Sequence, residues 1–226
     1  MRGRAAYSTA VSHQRVIVVG SGFSGIAMGA RLAQQGIEDF LILEKASDVG
    51  GTWRDNRYPG CACDVPSRLY SLSFAPKTDW SRDYAPADEI WDYLRDCVER
   101  FGLRSHLVLD ADVVAATWDA DRWRVTVADG REWTAGALVL GVGGLHVARR
   151  PDLAGLGTFS GPVLHTADWP PDDGLDGLRV GVVGTGASAV QLVPALAPRV
   201  SQLVVFQRTP SWVLPRSDRA WSSRRQ

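Results

Sequence analysis

Runs of apolar residues occur in two similar arrangements, one near the start of this chain and one near its end. Each arrangement joins an apolar run, a glycine-rich turn, a helical pattern and a second apolar run, and the segments are 15–20, 24–35 and 39–44, then 178–184, 187–196 and 202–207. Continuous apolar runs are typical of parallel strands that are buried on both faces. The pattern therefore predicts an α/β fold with two Rossmann-like dinucleotide-binding units.

The region between these arrangements has a different period. Apolar residues at helical spacing predict an amphipathic helix over residues 86–101. Short strands are then expected over residues 111–118, 123–128, 132–134 and 137–141. Asp129 and Gly130 form a typical turn pair before the third of them. We therefore expect a small β-meander to be inserted in the first unit.

The expected domains follow the chain in order. They are a disordered tail over 1–14, a first dinucleotide-binding domain over 15–145, a linker over 146–177, the start of a second dinucleotide-binding domain over 178–215, and an irregular tail over 216–226. No strand or helix pattern closes the chain after residue 215. The sequence therefore predicts a chain that is truncated at its C-terminus.

Composition excludes several partners. Lys plus Arg and Asp plus Glu are 25 each, so no net charge draws the chain to nucleic acid or to an anionic membrane. No apolar run has the length of a membrane span or a signal peptide, which predicts a cytoplasmic location. Cys61, Cys63 and Cys97 match no zinc or redox spacing. Free thiols and no metal site are expected.

The first glycine-rich turn carries a G-x-G-x-x-G pattern, which consists of Gly20, Ser21, Gly22, Phe23, Ser24 and Gly25. The first glycine permits a tight turn, the second lets the backbone approach a pyrophosphate, and the third allows close packing of helix on strand. The helix N-terminus also favours an anion. Glu44 ends the next strand, where a carboxylate can bind ribose hydroxyls.

The second turn is similar but is followed by different chemistry. Its G-x-G-x-x-A pattern consists of Gly184, Thr185, Gly186, Ala187, Ser188 and Ala189. Arg208 and Thr209 follow the next strand in place of an acid. An arginine can form charge-assisted bonds with a 2′-phosphate, which a carboxylate would repel. The second site is therefore predicted to bind NADPH in preference to NADH.

Residues 159–170 carry the pattern F-x-G-x-x-x-H-T-x-x-W-P between the two turns. This pattern resembles the linker signature of type I Baeyer–Villiger monooxygenases, in their N-terminal part. The resemblance covers residues 15–215. A signature between two nucleotide-binding units is expected to act on their relative placement rather than on chemistry.

A second pattern of the same family, [AG]-G-x-W-x-x-x-x-[FY]-P-[GM]-x-x-x-D, spans residues 50–64. The resemblance implies that the first site binds FAD. It implies that the flavin side is lined by Gly50, Gly51, Thr52, Trp53, Cys63, Asp64 and Tyr70, with the backbone of Val113 against the adenine. In this reading the two glycines admit the flavin, and Trp53 shields it from water.

The resemblance implies an enzyme that uses NADPH, FAD and O2 to insert one oxygen atom into a ketone or aldehyde through a C4a-peroxyflavin. Asp64 is its expected catalytic residue, orienting a cationic group. In the family that group is an arginine from a later part of the NADP domain, beyond the end of this sequence. The alternatives are an N- or S-oxygenating flavin-containing monooxygenase, whose linker lacks the H-T-x-x-W-P ending, and a non-catalytic nucleotide-binding fragment.

Overall fold

The computed structural model describes residues 11–221, which fall into two compact units. The first contains the described residues up to Val49 together with Cys97–Val142, and the second contains Gly50–Asp96 together with the described residues from Gly143 onward. This division differs from the contiguous first domain expected over 15–145. The difference has a physical reason, since residues 58–64 pack against a helix of the second unit.

The first unit contains a six-stranded sheet, with a helix between its first and second strands. The strands are β1 Ser12–Val19, β2 Phe40–Leu43, β3 Leu107–Val108, β4 Val113–Asp119, β5 Arg122–Val127 and β6 Glu132–Leu140, and the helix is α1 Phe23–Gln34. Their order in the sheet is β3-β2-β1-β6-β5-β4. Strand β1 pairs parallel to β2 and β6, whereas β4, β5 and β6 are antiparallel neighbours. This is the predicted α/β fold with its meander.

Two expectations about strand boundaries are wrong. The predicted strands 132–134 and 137–141 are one strand, β6, because it pairs with β1 from Ser12↔Trp133 to Val19↔Leu140. The same backbone pairing places residues 12–14 in β1 and not in the expected disordered tail. The rest of that tail, residues 1–10, lies outside the described residues. The antiparallel meander therefore shares its last strand with the parallel part of the sheet.

The core of the first unit lies on the parallel strands, as their apolar runs predict. Ile17 in β1 and Ile42 in β2 are fully buried, and Leu43 is nearly so. Val125 of β5 and Ala135 of β6 belong to the same buried cluster as Ile17. This packing fixes the end of β1, from which the first glycine-rich turn leaves the sheet.

The second unit contains a parallel strand pair and helices that surround an irregular segment. Its elements are the short helix α2 Thr52–Asp55, most of helix α3 Ala87–Arg100, strand β7 Arg179–Val183, helix α4 Ala187–Leu196 and strand β8 Gln202–Phe206. Leu192 and Leu196 of α4 pack with Tyr58 and Leu175. The helix over 86–101 and the second β-α-β arrangement are thus present as predicted.

The segment 216–221 is irregular, as expected, but it is bonded to the second unit. Ala220 forms a bridge with Arg82, and the Trp221 indole N–H donates to Asp83 at 2.7 Å. Residues 222–226 of the predicted tail lie outside the described residues.

Within residues 11–221, no helix has the length and apolar character needed to cross a bilayer. The predicted cytoplasmic location stays a prediction. The three cysteines are free thiols in the structure, as their spacing predicts.

Candidate functional site

The first glycine-rich turn has a backbone that only glycine can provide. Gly20 has φ +93°, in the left-handed region, and its N–H donates to the Leu43 carbonyl at 2.8 Å. A Cβ at Gly20 would lie 2.6 Å from the carbonyl oxygen of Gly141. The turn is therefore held between the ends of β2 and β6, close to the backbone that follows β6.

The third glycine of this pattern has the packing role that the sequence predicts. Helix α1 begins at Phe23 with Gly22 as its N-cap. A Cβ at Gly25 would lie only 1.8 Å from the carbonyl oxygen of Gly20. Glycine at position 25 thus lets the first turn of α1 sit directly on the chain that leaves β1. The N-terminus of α1 opens at this turn, which favours an anionic group there.

Glu44 is almost completely buried behind the same turn, at 3% exposure. Its Oε2 accepts hydrogen bonds from the backbone N–H of Ser21 at 2.9 Å and from the Ser21 hydroxyl at 2.7 Å. Its Oε1 accepts from the N–H of Ala46 at 3.1 Å. The carboxylate expected to bind ribose therefore also fixes the shape of the glycine turn. Sequence reasoning missed Ser21, although a hydroxyl residue between two glycines of the fingerprint was a visible signal.

Val113 follows a segment that is hydrogen-bonded to the backbone around Glu44. The N–H of Ala111 donates to the carbonyl of Glu44 at 2.8 Å, and the N–H of Asp110 donates to the carbonyl of Ala46 at 3.0 Å. Val113 begins β4 two residues later and is half-buried. The structure thus brings Val113 and Glu44 into neighbouring segments of one unit.

The second glycine-rich turn repeats this geometry in the second unit with more open space. Gly184 has φ +108°, and its N–H donates to the carbonyl of Phe206 at 2.9 Å. Gly186 is the N-cap of α4, which begins at Ala187. A Cβ at Gly184 or at Gly186 would have no atom within 4 Å. The region in front of this helix N-terminus has room for a ligand.

Residues after β8 surround the outer side of this turn. The hydroxyl of Ser211 donates to the backbone carbonyl of Thr185 at 3.1 Å and lies 3.3 Å from its hydroxyl. Sequence reasoning did not single out Ser211. Arg208 and Thr209 lie on the same connection and are exposed to solvent. The predicted phosphate-binding residues are therefore accessible to solvent just after β8, which pairs with the strand that carries the turn.

The segment that begins at Gly50 gives a different reason for its glycines from the expected one. Gly50 has φ +122°, and a Cβ there would lie 2.5 Å from Cδ1 of Trp91. The glycine is thus required by close packing against α3. Trp53, on α2, meets Tyr70 in an edge-to-face contact with ring centroids 5.2 Å apart. Two of the predicted flavin-side residues are therefore neighbours.

Cys63 and Asp64 lie in the irregular stretch that follows. Cys63 is fully buried, and burial raises the pKa of its thiol, as it does for Cys61. Both thiols are therefore protonated at neutral pH. Arg216 donates from Nη1 to the carbonyl of Cys63 at 3.3 Å. This guanidinium is a cationic group bonded to the residue before Asp64, and sequence reasoning missed it because it lies in the tail.

A cavity of about 570 Å³ in the second unit is lined by residues of both the 50–64 pattern and the linker signature. Trp53 and Tyr58, from the 50–64 pattern, line it together with Trp169 and Pro170, from the linker signature. The indole N–H of Trp169 donates to Oδ2 of Asp173 at 3.3 Å. The signature residues therefore take part in the packing of the second unit itself.

Phe159, at the start of the signature, remains exposed. Its ring covers Gly161, where a Cβ would lie 2.7 Å from the ring edge. His165 and Asp168 form a backbone bridge, which turns the chain before Trp169. The signature is thus a sequence of local turns that ends on the cavity.

Comparison with known proteins supports the resemblance. A family model described as an NAD(P)-binding Rossmann-like domain matches residues 18–95. A Baeyer–Villiger monooxygenase from Streptomyces coelicolor is 50% identical over 212 residues, which is 93% of this chain and 41% of that protein. The chain thus spans about two fifths of the length of this curated relative. The predicted resemblance to the N-terminal part of such monooxygenases is confirmed.

Solved structures agree with this similarity. A closed crystal structure of cyclohexanone monooxygenase superposes with a TM-score of 0.88 at 38% identity, covering 96% of this chain and 42% of that one. A crystal structure of OTEMO in complex with FAD and NADP superposes with a TM-score of 0.86 at 34% identity, covering 94% of this chain and 42% of that one. The predicted α/β fold is thereby confirmed.

Proposed function

We propose that this chain is the cofactor-binding part of a monooxygenase that uses FAD and NADPH to insert one oxygen atom of O2 into a ketone or aldehyde. One observation carries the proposal. The chain has two separate strand–glycine turn–helix sites, of which one is backed by the buried carboxylate of Glu44 and the other is followed by Arg208. The similarity to a Baeyer–Villiger monooxygenase and to cyclohexanone monooxygenase supports this reading.

The first turn fits the adenosine diphosphate part of FAD. Gly22 is the N-cap of α1, so the turn leads directly into a helix N-terminus, where a pyrophosphate is favoured. We assign the pyrophosphate contacts to Gly20, Gly22, Phe23, Ser24 and Gly25, the ribose contact to Glu44 and the adenine contact to Val113.

The second turn fits NADPH. The open space at Gly184 and Gly186 admits a pyrophosphate at the N-terminus of α4. We assign the remaining turn contacts to Thr185, Ala187, Ser188 and Ala189, and the 2′-phosphate contact to Arg208 and Thr209. An exposed guanidinium and a hydroxyl next to each other suit a phosphate dianion.

Our assignment of residues to the flavin rests on the sequence resemblance. These residues are Gly50, Gly51, Thr52, Trp53, Cys63, Asp64 and Tyr70. When bound, NADPH supplies a hydride and FAD passes electrons to O2. The role of this chain is to bind both groups, to exclude water with Trp53 and Tyr70, and to present the carboxylate of Asp64. That carboxylate would orient a cationic group, and Arg216, which donates to the carbonyl of the preceding Cys63, is the candidate that we assign.

The test uses the purified chain with FAD, NADPH, NADH, cyclohexanone and an organic sulfide. We expect a flavin absorption spectrum after gel filtration with FAD and tighter binding of NADPH than of NADH. Formation of an ester or lactone from the ketone would favour the Baeyer–Villiger reaction. Gly22→Val should prevent FAD binding while the far-ultraviolet circular dichroism stays unchanged. Oxygenation of the sulfide alone would favour the N- or S-oxygenating alternative. Failure to bind either nucleotide would refute the proposal.

A further inference from the structure

Gln191 is a buried amide on α4 in the second unit, with 7% of its surface exposed. Its Oε1 accepts from the hydroxyl of Tyr58 at 2.8 Å and from the N–H of Ala62 at 3.3 Å. Its Nε2 donates to the carbonyl of Ala62 at 2.9 Å and to Oδ1 of Asp64 at 2.6 Å. Two acceptors face the nitrogen and two donors face the oxygen, so the amide has a single satisfied orientation.

The position of Gln191 on α4 ties this amide to the second glycine-rich turn. Gln191 follows Ala187, the first residue of the helix, by four positions, so the two share one helical face. The backbone of Gln191 also lies against the 58–64 segment, because a Cβ at Gly60 would be 2.6 Å from its carbonyl oxygen. The helix that opens at the proposed NADPH turn is therefore in direct contact with the segment that carries Asp64.

Asp64 itself is exposed, so packing alone leaves its carboxylate free to change rotamer. Its bond with Gln191 is short and charge-assisted, which makes it the stronger kind of hydrogen bond. The two hydrogen bonds between the Gln191 amide and the backbone of Ala62 hold the donor in place. Buried amides of this type orient a neighbouring group because every one of their own partners is fixed.

We propose that Gln191 is the positioning residue of Asp64, through which the helix of the NADPH turn sets the direction of that carboxylate. The proposal rests on the function proposed above, since it gives Asp64 its task. Gln191 contacts neither nucleotide in this scheme. It acts through Asp64, and it ties the carboxylate to the helix whose N-terminus receives the pyrophosphate.

The positioning is tested first without any cofactor, by nuclear magnetic resonance of the Gln191 side-chain amide. Asp64→Ala should move one of the two amide proton signals upfield and speed its exchange with water. The matched control Tyr58→Phe removes a bond on the oxygen side and should leave that proton shifted downfield. Amide signals that are the same in Asp64→Ala and the intact chain would overturn the proposal.

A rescue experiment separates positioning from a purely structural role. Gln191→Asn withdraws the amide by one methylene, and Asp64→Glu extends the carboxylate by one. If the contact between them matters, the double variant Gln191→Asn/Asp64→Glu should recover the downfield amide signal that each single variant loses. Additive losses in the thermal unfolding midpoint, with no recovery of the signal, would contradict the proposal.

The consequence for function is measured as the rate of flavin reduction by NADPH, with FAD and NADPH saturating. Gln191→Glu places a second carboxylate beside Asp64 while keeping the size of the side chain. We expect a rate loss on the order of tenfold to a hundredfold in this variant, as for a misplaced group near the reacting atoms, with FAD affinity unchanged. An unchanged rate in a folded, flavin-loaded variant would overturn the positioning role of Gln191 and leave the proposed function standing. An intact chain that binds no flavin refutes the proposed function, and the amide signals then still decide the positioning.

Discussion

Ser21 donates both its backbone N–H and its hydroxyl to a single oxygen of Glu44, at 2.9 and 2.7 Å. Both residues are buried, so the carboxylate is compensated from within the protein and not by water. The pair links the middle of the first glycine-rich turn to the end of β2. A residue expected only to bind ribose is thus part of the scaffold of the turn.

The first prediction removes one of these two bonds. Ser21→Ala leaves the Glu44 carboxylate with one donor fewer in a buried place, and hydrogen bonds to charged groups contribute about 1.5–3 kcal/mol. We expect the free energy of unfolding in urea to fall by about that amount. Ser47→Ala is the control in the same unit, because Ser47 is exposed and its change should stay within about 0.5 kcal/mol. Equal effects of the two variants would contradict the role of Ser21.

The second prediction concerns the third glycine of the first turn. Gly25→Ala would bring a Cβ to 1.8 Å from the carbonyl oxygen of Gly20, so the turn or the helix must move. Overpacking of this kind costs about 1–3 kcal/mol or more. We expect a lower thermal unfolding midpoint and weaker FAD binding together.

Gly136→Ala is the matched control for this substitution. A Cβ at Gly136 in β6 would lie 3.4 Å from the carbonyl of Arg15, which is an ordinary contact. Its unfolding midpoint should stay close to that of the intact chain. A stable, flavin-binding Gly25→Ala variant would show that the turn tolerates a side chain at this position.

Much of the first unit was predictable because its signals are local. The apolar runs of β1 and β2 and the fingerprint between them identify a strand, a turn and a helix without reference to the rest of the chain. Strand β3 has only two residues and α2 only four, which is too short for any period to show. The long strand β6 was divided in the prediction because Gly136 interrupts its apolar pattern.

The site was less predictable because its decisive contacts join distant residues. Gln191 lies between Val190 and Leu192 in an apolar helix, and this isolated amide was the only sequence signal of a buried polar role. Its partner Asp64 lies 127 positions away in the chain. Likewise, Gly50 matched a flavin pattern, whereas its close contact in the structure is with Trp91. Motifs identify which residues are constrained, and the packing of the fold determines which contact constrains each of them.

The third prediction tests the choice of nicotinamide cofactor. Arg208→Ala removes the guanidinium assigned to the 2′-phosphate, and one hydrogen bond between charged groups is about 1.5–3 kcal/mol, or about 10- to 150-fold in affinity. NADPH binding should weaken by that factor, measured by calorimetry, while NADH binding changes little. Arg150→Ala, also exposed in the second unit, controls for the loss of one positive charge. Equal losses for NADPH and NADH would place the 2′-phosphate elsewhere.

The fourth prediction concerns the ion pair that supports the linker signature. Arg199 donates from Nη2 to Oδ1 of Asp173 at 2.6 Å and from Nη1 to Oδ2 at 3.0 Å, while the side chain of Asp173 is 6% exposed. Trp169 of the signature donates to the same carboxylate. Arg199→Met should lower the thermal unfolding midpoint by a few degrees, because Asp173 then keeps its charge in a buried place with fewer donors. Arg122→Met is the control, since both members of its pair with Asp121 are exposed and such pairs contribute little.

The stabilisation that Arg199 provides is expected to decrease as the pH falls. The Arg199 guanidinium is the first cause that holds the pKa of Asp173 below its usual value of 3.8, so the folded state favours the charged carboxylate. A lowered pKa stabilises the fold at pH values above the unfolded pKa, and that stabilisation is lost as the pH falls through the folded pKa. The midpoint difference between the intact chain and Arg199→Met should therefore be full at pH 7 and shrink below about pH 4. A difference that stays constant from pH 7 to pH 3 would mean that Arg199 stabilises the unit by packing of its methylene groups and not by its bonds to Asp173.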